Sequence, residues 1–288
     1  MKIAILYVAT GRYIAFWEDF YKTCEEFFIT DAQKTYFVFT DSDKIYAQNN
    51  ENVIKIHQKK LGWPYDTLMR FKMFLTQEEK LKEHDYIFFF NANMKFVKPV
   101  GHEVLPDEEH NGLVAGLHPA YYKKNIDEFD YCRNEKSLAY IPYGQGKYYV
   151  QGCLNGGTRD AYLQFCRTCM ENTQKDLDKD VIAEVHDESH LNKYVSDKNI
   201  LVLPCNYLYP VGCYYPEYCD DIKIIQRDKN SPKYGGTDYM RGVTDKFGKG
   251  SIGWYLTYLT YGFLAVFGIG KLRKKFQCKM LRFNKDFQ

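Results

Sequence analysis

The run Asp85-Tyr86-Ile87-Phe88-Phe89-Phe90-Asn91-Ala92-Asn93-Met94-Lys95-Phe96 restricts the fold more than any other stretch. An unbroken apolar core bounded by polar residues, too short for a buried helix, reads as a strand covered on both faces, as in parallel or mixed sheets. In open α/β sheets the ligand crevice lies beyond the carboxyl ends of central strands. Asn91 and Asn93 stand there, one residue apart, so their side chains can point the same way. Asn-x-Asn alone also suits a strand that ends in a turn.

The preceding chain supplies companions for that strand. Ile3-Ala4-Ile5-Leu6-Tyr7-Val8 reads as a first strand, Thr10-Gly11-Arg12-Tyr13 as a turn, and Phe16, Phe20 and Phe27 as the apolar side of a helix. Strands follow at 35–41 and 52–56, giving an alternating α/β half. Gly62-Trp63-Pro64-Tyr65-Asp66-Thr67 leads into a helical stretch that reaches about Lys82, with Asp66 or Thr67 as its cap. Arg70, near its start, is a surface charge or a fork for an acidic ligand. From about residue 100 the chain is rich in Gly, Pro and Asn and reads as loops on the sheet, where recognition usually sits. Within it, glycines 152, 156 and 157 precede a helix through Leu163 and Met170, and they suit close approach of backbone to a ligand. A short strand is expected at 199–204, and a basic, glycine-bearing segment at 224–236.

With 288 residues, 45% of them hydrophobic, the chain can bury a sizeable core, and a net charge of +2 gives no reason to expect nucleic acid. Its 26 tyrosines offer flat faces with hydroxyls, suited to sugars and uracil as well as to packing. The nine cysteines are scattered, and the first apolar run does not resemble a secretory signal. Free thiols and a cytoplasmic location are therefore expected. Cys166 and Cys169 lack a second pair and read as core.

His186-Asp187-Glu188-Ser189-His190 places two histidines four apart, the spacing of a zinc hydrolase helix. Asp187 stands where such a helix has Glu, and no third ligand follows at a useful distance. The other reading is a helix start that projects Glu188 into a loop-lined cleft.

Together these pieces resemble glycosyltransferase family six, which includes the histo-blood-group A and B transferases and the α-1,3-galactosyltransferases. The likeness runs in order from about Ile3 to Gly236, through Val38-Phe39-Thr40-Asp41, Gly62-Trp63-Pro64, His118-Pro119, Ala139-Tyr140-Ile141-Pro142, Gly156-Gly157 and His186-Asp187-Glu188-Ser189-His190-Leu191-Asn192-Lys193-Tyr194. The family's Asp-x-Asp is here Asn-Ala-Asn, as in its bacterial branch. Neutral amide oxygens hold hard cations weakly, so the resemblance implies a transferase that needs no metal cofactor.

The resemblance implies an α/β fold of the GT-A type with a mixed central sheet flanked by helices. A catalytic domain would span 1–236, divided into a nucleotide-sugar half (1–98) and an acceptor half (99–236), followed by a linker (237–250) and a tail (251–288). The implied reaction is retaining α-1,3 transfer of Gal or GalNAc from UDP-Gal or UDP-GalNAc to the 3-hydroxyl of a galactoside. The implied donor residues are Val8, Thr10, Tyr13, Arg70, Asn91, Asn93, Gln151, Cys153 and Lys229, with Arg227 or Lys233 as further cations. His118, His186 and Asp187 would hold an oligosaccharide or lipid-linked acceptor. Glu188 matches the catalytic carboxylate. Gln151 and Cys153 would tune the donor, the bulk of Cys153 leaning towards UDP-Gal. A sugar-nucleotide-binding pseudoenzyme is the alternative that the altered Asp pair suggests.

The tail changes character. Ile252 to Ile269 carries no charge, and Lys271-Leu272-Arg273-Lys274-Lys275-Phe276 begins a basic amphipathic segment. An in-plane or re-entrant anchor on the inner membrane surface is expected, with a helical hairpin folded on the catalytic domain as the alternative.

Overall fold

In the computed structural model the chain opens with strand β1 (Lys2–Val8), which pairs in parallel with β2 (Gln33–Thr40) and, on its other side, with β4 (Tyr86–Asn91). Strand β3 (Val53–His57) continues the parallel set beyond β2. The structure describes residues 1–248 and 252–283, of which 252–254 by backbone alone. As expected for a doubly covered sheet, the strands alternate between two apolar layers. Ile3, Ile5, Tyr7, Phe88 and Phe90 pack with Phe16, Trp17 and Phe20, the last two on helix α1 (Trp17–Phe27). Ala4, Leu6, Ile87 and Phe89 face the opposite layer. There the expected helix up to Lys82 is three short pieces: α2 (Tyr65–Leu68), α3 (Arg70–Leu75) and α4 (Glu78–Leu81).

The second half departs from the loop-rich expectation. After β5 (Met94–Phe96) and β6 (Leu113–Leu117), residues 150–158 form a nine-residue strand, β7 (Val150–Thr158), antiparallel to both β4 and β6. A short β8 (Leu201–Leu203) closes the sheet beside β6, in the order β3-β2-β1-β4-β7-β6-β8. Gly156 and Gly157 serve this pairing rather than a ligand: a Cβ would lie 2.6 Å from the Phe88 ring at one and 2.3 Å from the Gly112 carbonyl oxygen at the other. Facing β6, the pairing jumps from Ala115–Asn155 to Gly116–Gln151, so residues 152–154 bulge from the ladder. Helices α5 (Arg159–Leu177) and α6 (His186–Val195) cover this half from the α3 side.

A second sheet of β5, β10 (Ile224–Gln226) and β9 (Tyr209–Pro210) flanks the first. Arg227 ties the parts together. Its side chain is 0% exposed, and its guanidinium donates to the carbonyls of Phe16, Ala92, Asn93 and Met94 (3.0–3.4 Å) and to Asp19 (3.1 Å).

Residues 237–248, expected within a linker, include helix α7 (Thr237–Arg241) and fold back on the body. There Arg12 Nη1 donates to the carbonyls of Tyr239 and Thr244 at 2.7 Å each. Residues 249–251 and 284–288, parts of the expected linker and tail, lie outside the described residues. Helices α8 (Ile252–Phe267) and α9 (Gly270–Met280) pack on each other through Tyr261 and Phe276. The hairpin is pinned to the body by Lys274–Asp220 and Arg282–Asp228, each 2.5 Å. Among the described residues no helix is long and apolar enough to cross a membrane. All nine cysteines are free, and Cys166 and Cys169 are core residues of α5.

Replacing Arg227 by Met removes the side-chain donors that join four carbonyls and Asp19, although Ala92 O keeps the Tyr7 hydroxyl and Asn93 O keeps the N–H of residue 227, and is expected to lower unfolding free energy by about 3 kcal/mol. An unchanged urea midpoint contradicts the joining role.

Candidate active site

A cavity of ≈ 240 Å³ opens where β4 ends. Asn91, Asn93 and Arg70 line one part, Gln151, Gly152 and Cys153 of the β7 bulge another, and His186, Asp187 and Glu188 at the start of α6 a third. Lys229, two residues beyond the buried Arg227, completes it. Nine of the residues expected in the site therefore share one cavity.

The start of α6 is shaped by its own sequence. His186 takes φ of 53°, turning the chain abruptly into the helix, and its ring lies 4.6 Å from that of Trp63. The Val185 N–H, at the N-cap, donates to Ser189 Oγ at 2.9 Å, so a side chain one turn on satisfies an end group. Asn192 then grips β7: its Oδ1 accepts from Val150 N at 3.0 Å while its Nδ2 donates to Val150 O and to Glu188 O, both at 2.9 Å. The register of helix against strand is thereby fixed.

That register delivers Glu188. Its Oε2 accepts from Gly152 N at 2.7 Å and its Oε1 from the Tyr149 hydroxyl at 2.8 Å. Burial pushes the Glu188 carboxyl up to about 7, although both donors pull the other way. A side chain at position 152 would crowd it, since a Cβ there would lie 3.3 Å from Glu188 Cβ. Beside it, buried Asp187 accepts from Arg70 Nη1 at 2.5 Å, and the same nitrogen donates to Gly152 O at 3.1 Å. Burial raises the Asp187 carboxyl too, with Arg70 opposing. Arg70 is thus no surface charge: it lies 4.3 Å over the Phe89 ring, and its buried Nε lacks a hydrogen-bond partner.

Lys229 lines the cavity as a cation, and Arg241 stands behind it over Trp63, outside the lining. Lys229 Nζ sits 5.2 Å above the Tyr13 ring, and burial, followed by repulsion from Arg241 and Arg70, pushes it down to about 8. Arg241, on α7, lies 5.0 Å from the Trp63 ring centre, and its charge opposes the burial that raises the Tyr13 hydroxyl. Of the other two cations expected, Arg227 is fully engaged by protein groups, which corrects its assignment to the site, and Lys233 lies 3.8 Å from Asp19.

The remaining expected residues adjoin the cavity. Val8 is opposite Asn91 in the β1–β4 register, and buried Thr10 lies in the turn that leads to Tyr13. Asn91 Nδ2 donates to Asn93 Oδ1 at 3.2 Å, and Asn93 Nδ2 donates to Arg227 O at 2.8 Å. Gln151 Oε1 accepts from Gln226 at 2.7 Å and from Cys153 Sγ at 3.1 Å, so these two are held against each other. His118, pushed down to about 4 by burial, packs against Tyr121 and Tyr149 and so approaches Glu188 through Tyr149. Tyr149, Asn192 and Arg241 were missed; the Tyr148-Tyr149 pair just before the bulge was a usable signal for the first.

The zinc hydrolase reading fails on geometry. His190 is 2% exposed with Nε2 3.7 Å from Asp176, His186 packs on Trp63, and among the described residues no three His, Cys, Asp or Glu side chains form a metal-binding group.

The family model described as Glycosyltransferase family 6 matches residues 1–234. The chain is similar to the O-antigen biosynthesis glycosyltransferase WbnI of Escherichia coli, at 38% identity over 236 residues, 82% of this chain and 98% of that protein. It is 29% identical to the globoside alpha-1,3-N-acetylgalactosaminyltransferase 1 of Gallus gallus, over 80% of this chain and 68% of the relative. It is also 29% identical to the histo-blood group ABO system transferase 1 of Rattus norvegicus, over 77% of this chain and 62% of the relative, less than two thirds of that protein.

Proposed function

The chain belongs to glycosyltransferase family 6, and on that premise we propose that it is a metal-independent, retaining α-1,3-transferase that moves Gal or GalNAc from a UDP-sugar to the 3-hydroxyl of a galactoside. The observation that carries this reading is the buried Glu188 carboxylate, held by two donors, in the same cavity as Lys229. Breaking the anomeric bond leaves positive charge on the sugar and negative charge on UDP. Glu188 stabilises the first, as a nucleophile or as a nearby anion, and Lys229 with Arg241 the second. In a GT-A type site the diphosphate lies at the end of β4. There Asn91 and Asn93 supply hydrogen bonds, beside Arg70. Two amides that already bond each other and the Arg227 carbonyl suit an uncharged donor contact better than a divalent cation. Val8, Thr10 and Tyr13 would bind uridine; His118, His186 and Asp187 would bind the acceptor; Gln151 and Cys153 would line the donor sugar.

Location follows from the tail in the same reading. On α8, Leu256, Leu259, Phe263 and Phe267 are 58–68% exposed at helical spacing, and on α9 Lys271, Arg273 and Lys275 are exposed. No Asp or Glu stands between Asp245 and Asp286. An apolar stripe with acid-free basic flanks suits the anionic inner face of a membrane, where lipid-linked glycans would serve as acceptors.

Product formation from UDP-Gal or UDP-GalNAc with fucosylated lactose should persist in EDTA, and Glu188→Gln should reduce it by about 10²–10³-fold. Turnover only on adding Mn²⁺ would sink the metal-free reading, and UDP binding without turnover would favour the pseudoenzyme. Because Glu188 becomes an anion only above about 7 and Lys229 loses its proton above about 8, kcat/KM should be bell-shaped with limbs near those values. A profile flat from pH 6 to 9 would contradict both assignments. Sedimentation with phosphatidylglycerol vesicles, but not phosphatidylcholine vesicles, is expected, and Lys271→Glu/Arg273→Glu/Lys275→Glu should abolish it. Full-length protein that stays in the supernatant with both vesicles would overturn the membrane reading.

A further inference from the structure

We propose that Tyr149 is the positioning residue of this site: its hydroxyl fixes the direction of the Glu188 carboxylate and favours its anionic form. The inference deepens the reading given above and rests on Glu188 as the catalytic carboxylate. Tyr149 immediately precedes β7, and its hydroxyl lies 2.8 Å from Glu188 Oε1 and 3.2 Å from the Asp130 carbonyl oxygen.

One hydroxyl proton therefore has two acceptors. With Glu188 ionised, the proton points to the carboxylate. With Glu188 protonated, the carboxyl donates to the tyrosine oxygen, and the tyrosine proton turns to Asp130 O. Both states are satisfied, but the bond to an anion is the stronger, so the hydroxyl biases the pair towards carboxylate. Burial and the neighbouring Asp187 work against ionisation, while Arg70 and the Gly152 N–H favour it. Tyr121 and Cys153 also face Glu188, and Lys229 lines the same cavity.

The tyrosine is held independently of that bond. Its ring lies 4.6 Å from Tyr121, 5.5 Å from Tyr131 and 5.5 Å from His118. Tyr149→Phe keeps these ring contacts and removes only the hydroxyl. A role confined to packing predicts no change at Glu188.

The test is a ¹³C titration of the Glu188 carboxyl in wild type and Tyr149→Phe, with the resonance assigned by its absence in Glu188→Gln. Losing a hydrogen bond to a charged group should move the Glu188 midpoint up by about one pH unit. An unchanged or lower midpoint overturns the proposal. In turnover, the acid limb of kcat/KM should rise by the same amount with the alkaline limb fixed and the donor KM unchanged. A loss equal at every pH would show that only packing was disturbed, and would also overturn it. The titration needs no turnover, so a wild type that transfers no sugar refutes the transferase reading while the midpoint still decides the role of Tyr149.

Discussion

A buried guanidinium holds this site together. Arg227 reaches from the end of β10 into the seam between the two sheets and satisfies carbonyls on the β4–β5 turn and on the segment before α1. Burying a cation is costly unless its hydrogen bonds are met, and here carbonyl oxygens and Asp19 meet them. The fixed position of residue 227 fixes residue 229. Lys229 thus reaches the cavity from a strap that would otherwise be a loop, and Asn93, bonded to Arg227 in both directions, is set by the same joint.

The electrostatics have a common cause. Taking a carboxylate and an ammonium out of water disfavours both charged forms, so Glu188 moves up and Lys229 moves down until the two nearly meet. Pairing with each other would quench them. Instead Glu188 is met by neutral donors, Tyr149 and Gly152, while the one tight ion pair of the cavity, Arg70 with Asp187, lies beside it. Among the described residues the carboxylate has no ion-pair partner, in keeping with the proposed role of answering positive charge on a sugar.

Much of this was legible in the chain. The run at 86–90 announced a doubly covered strand because nothing else buries so many aromatic residues in so few positions, and the Asn pair at its end marked the cavity. The block from His186 to Tyr194 read as a helix start carrying Glu188, and it is one. In sequence, strand β7 reads as a loop because its three glycines imitate turn chemistry. Their cause is non-local: Phe88 and the Gly112 carbonyl come so close that no side chain fits at 156 or 157. Arg227 looked like Lys229 in sequence, both being cations in a basic stretch. Only the packing of two sheets separates the structural cation from the available one. Arg241 comes beside the site by chain return, which leaves no local pattern, and Tyr149 by strand register, of which the Tyr148-Tyr149 pair is the one local trace.

The C-terminal hairpin is attached where the cavity is built. Arg282 grips Asp228 with two nitrogens, at 2.5 and 2.8 Å, one residue before Lys229, and Lys274 grips Asp220 in the segment that leads to β10. Two separated ion pairs resist rotation about either one, although the exposed Lys274–Asp220 pair contributes little stability by itself. Their effect is therefore orientation more than strength. The apolar stripe of α8 and the basic side chains of α9 are both exposed, and the hairpin meets the body through the same strap that carries Lys229. In the proposed membrane reading, the surface that receives the stripe also sets the direction in which the cavity opens.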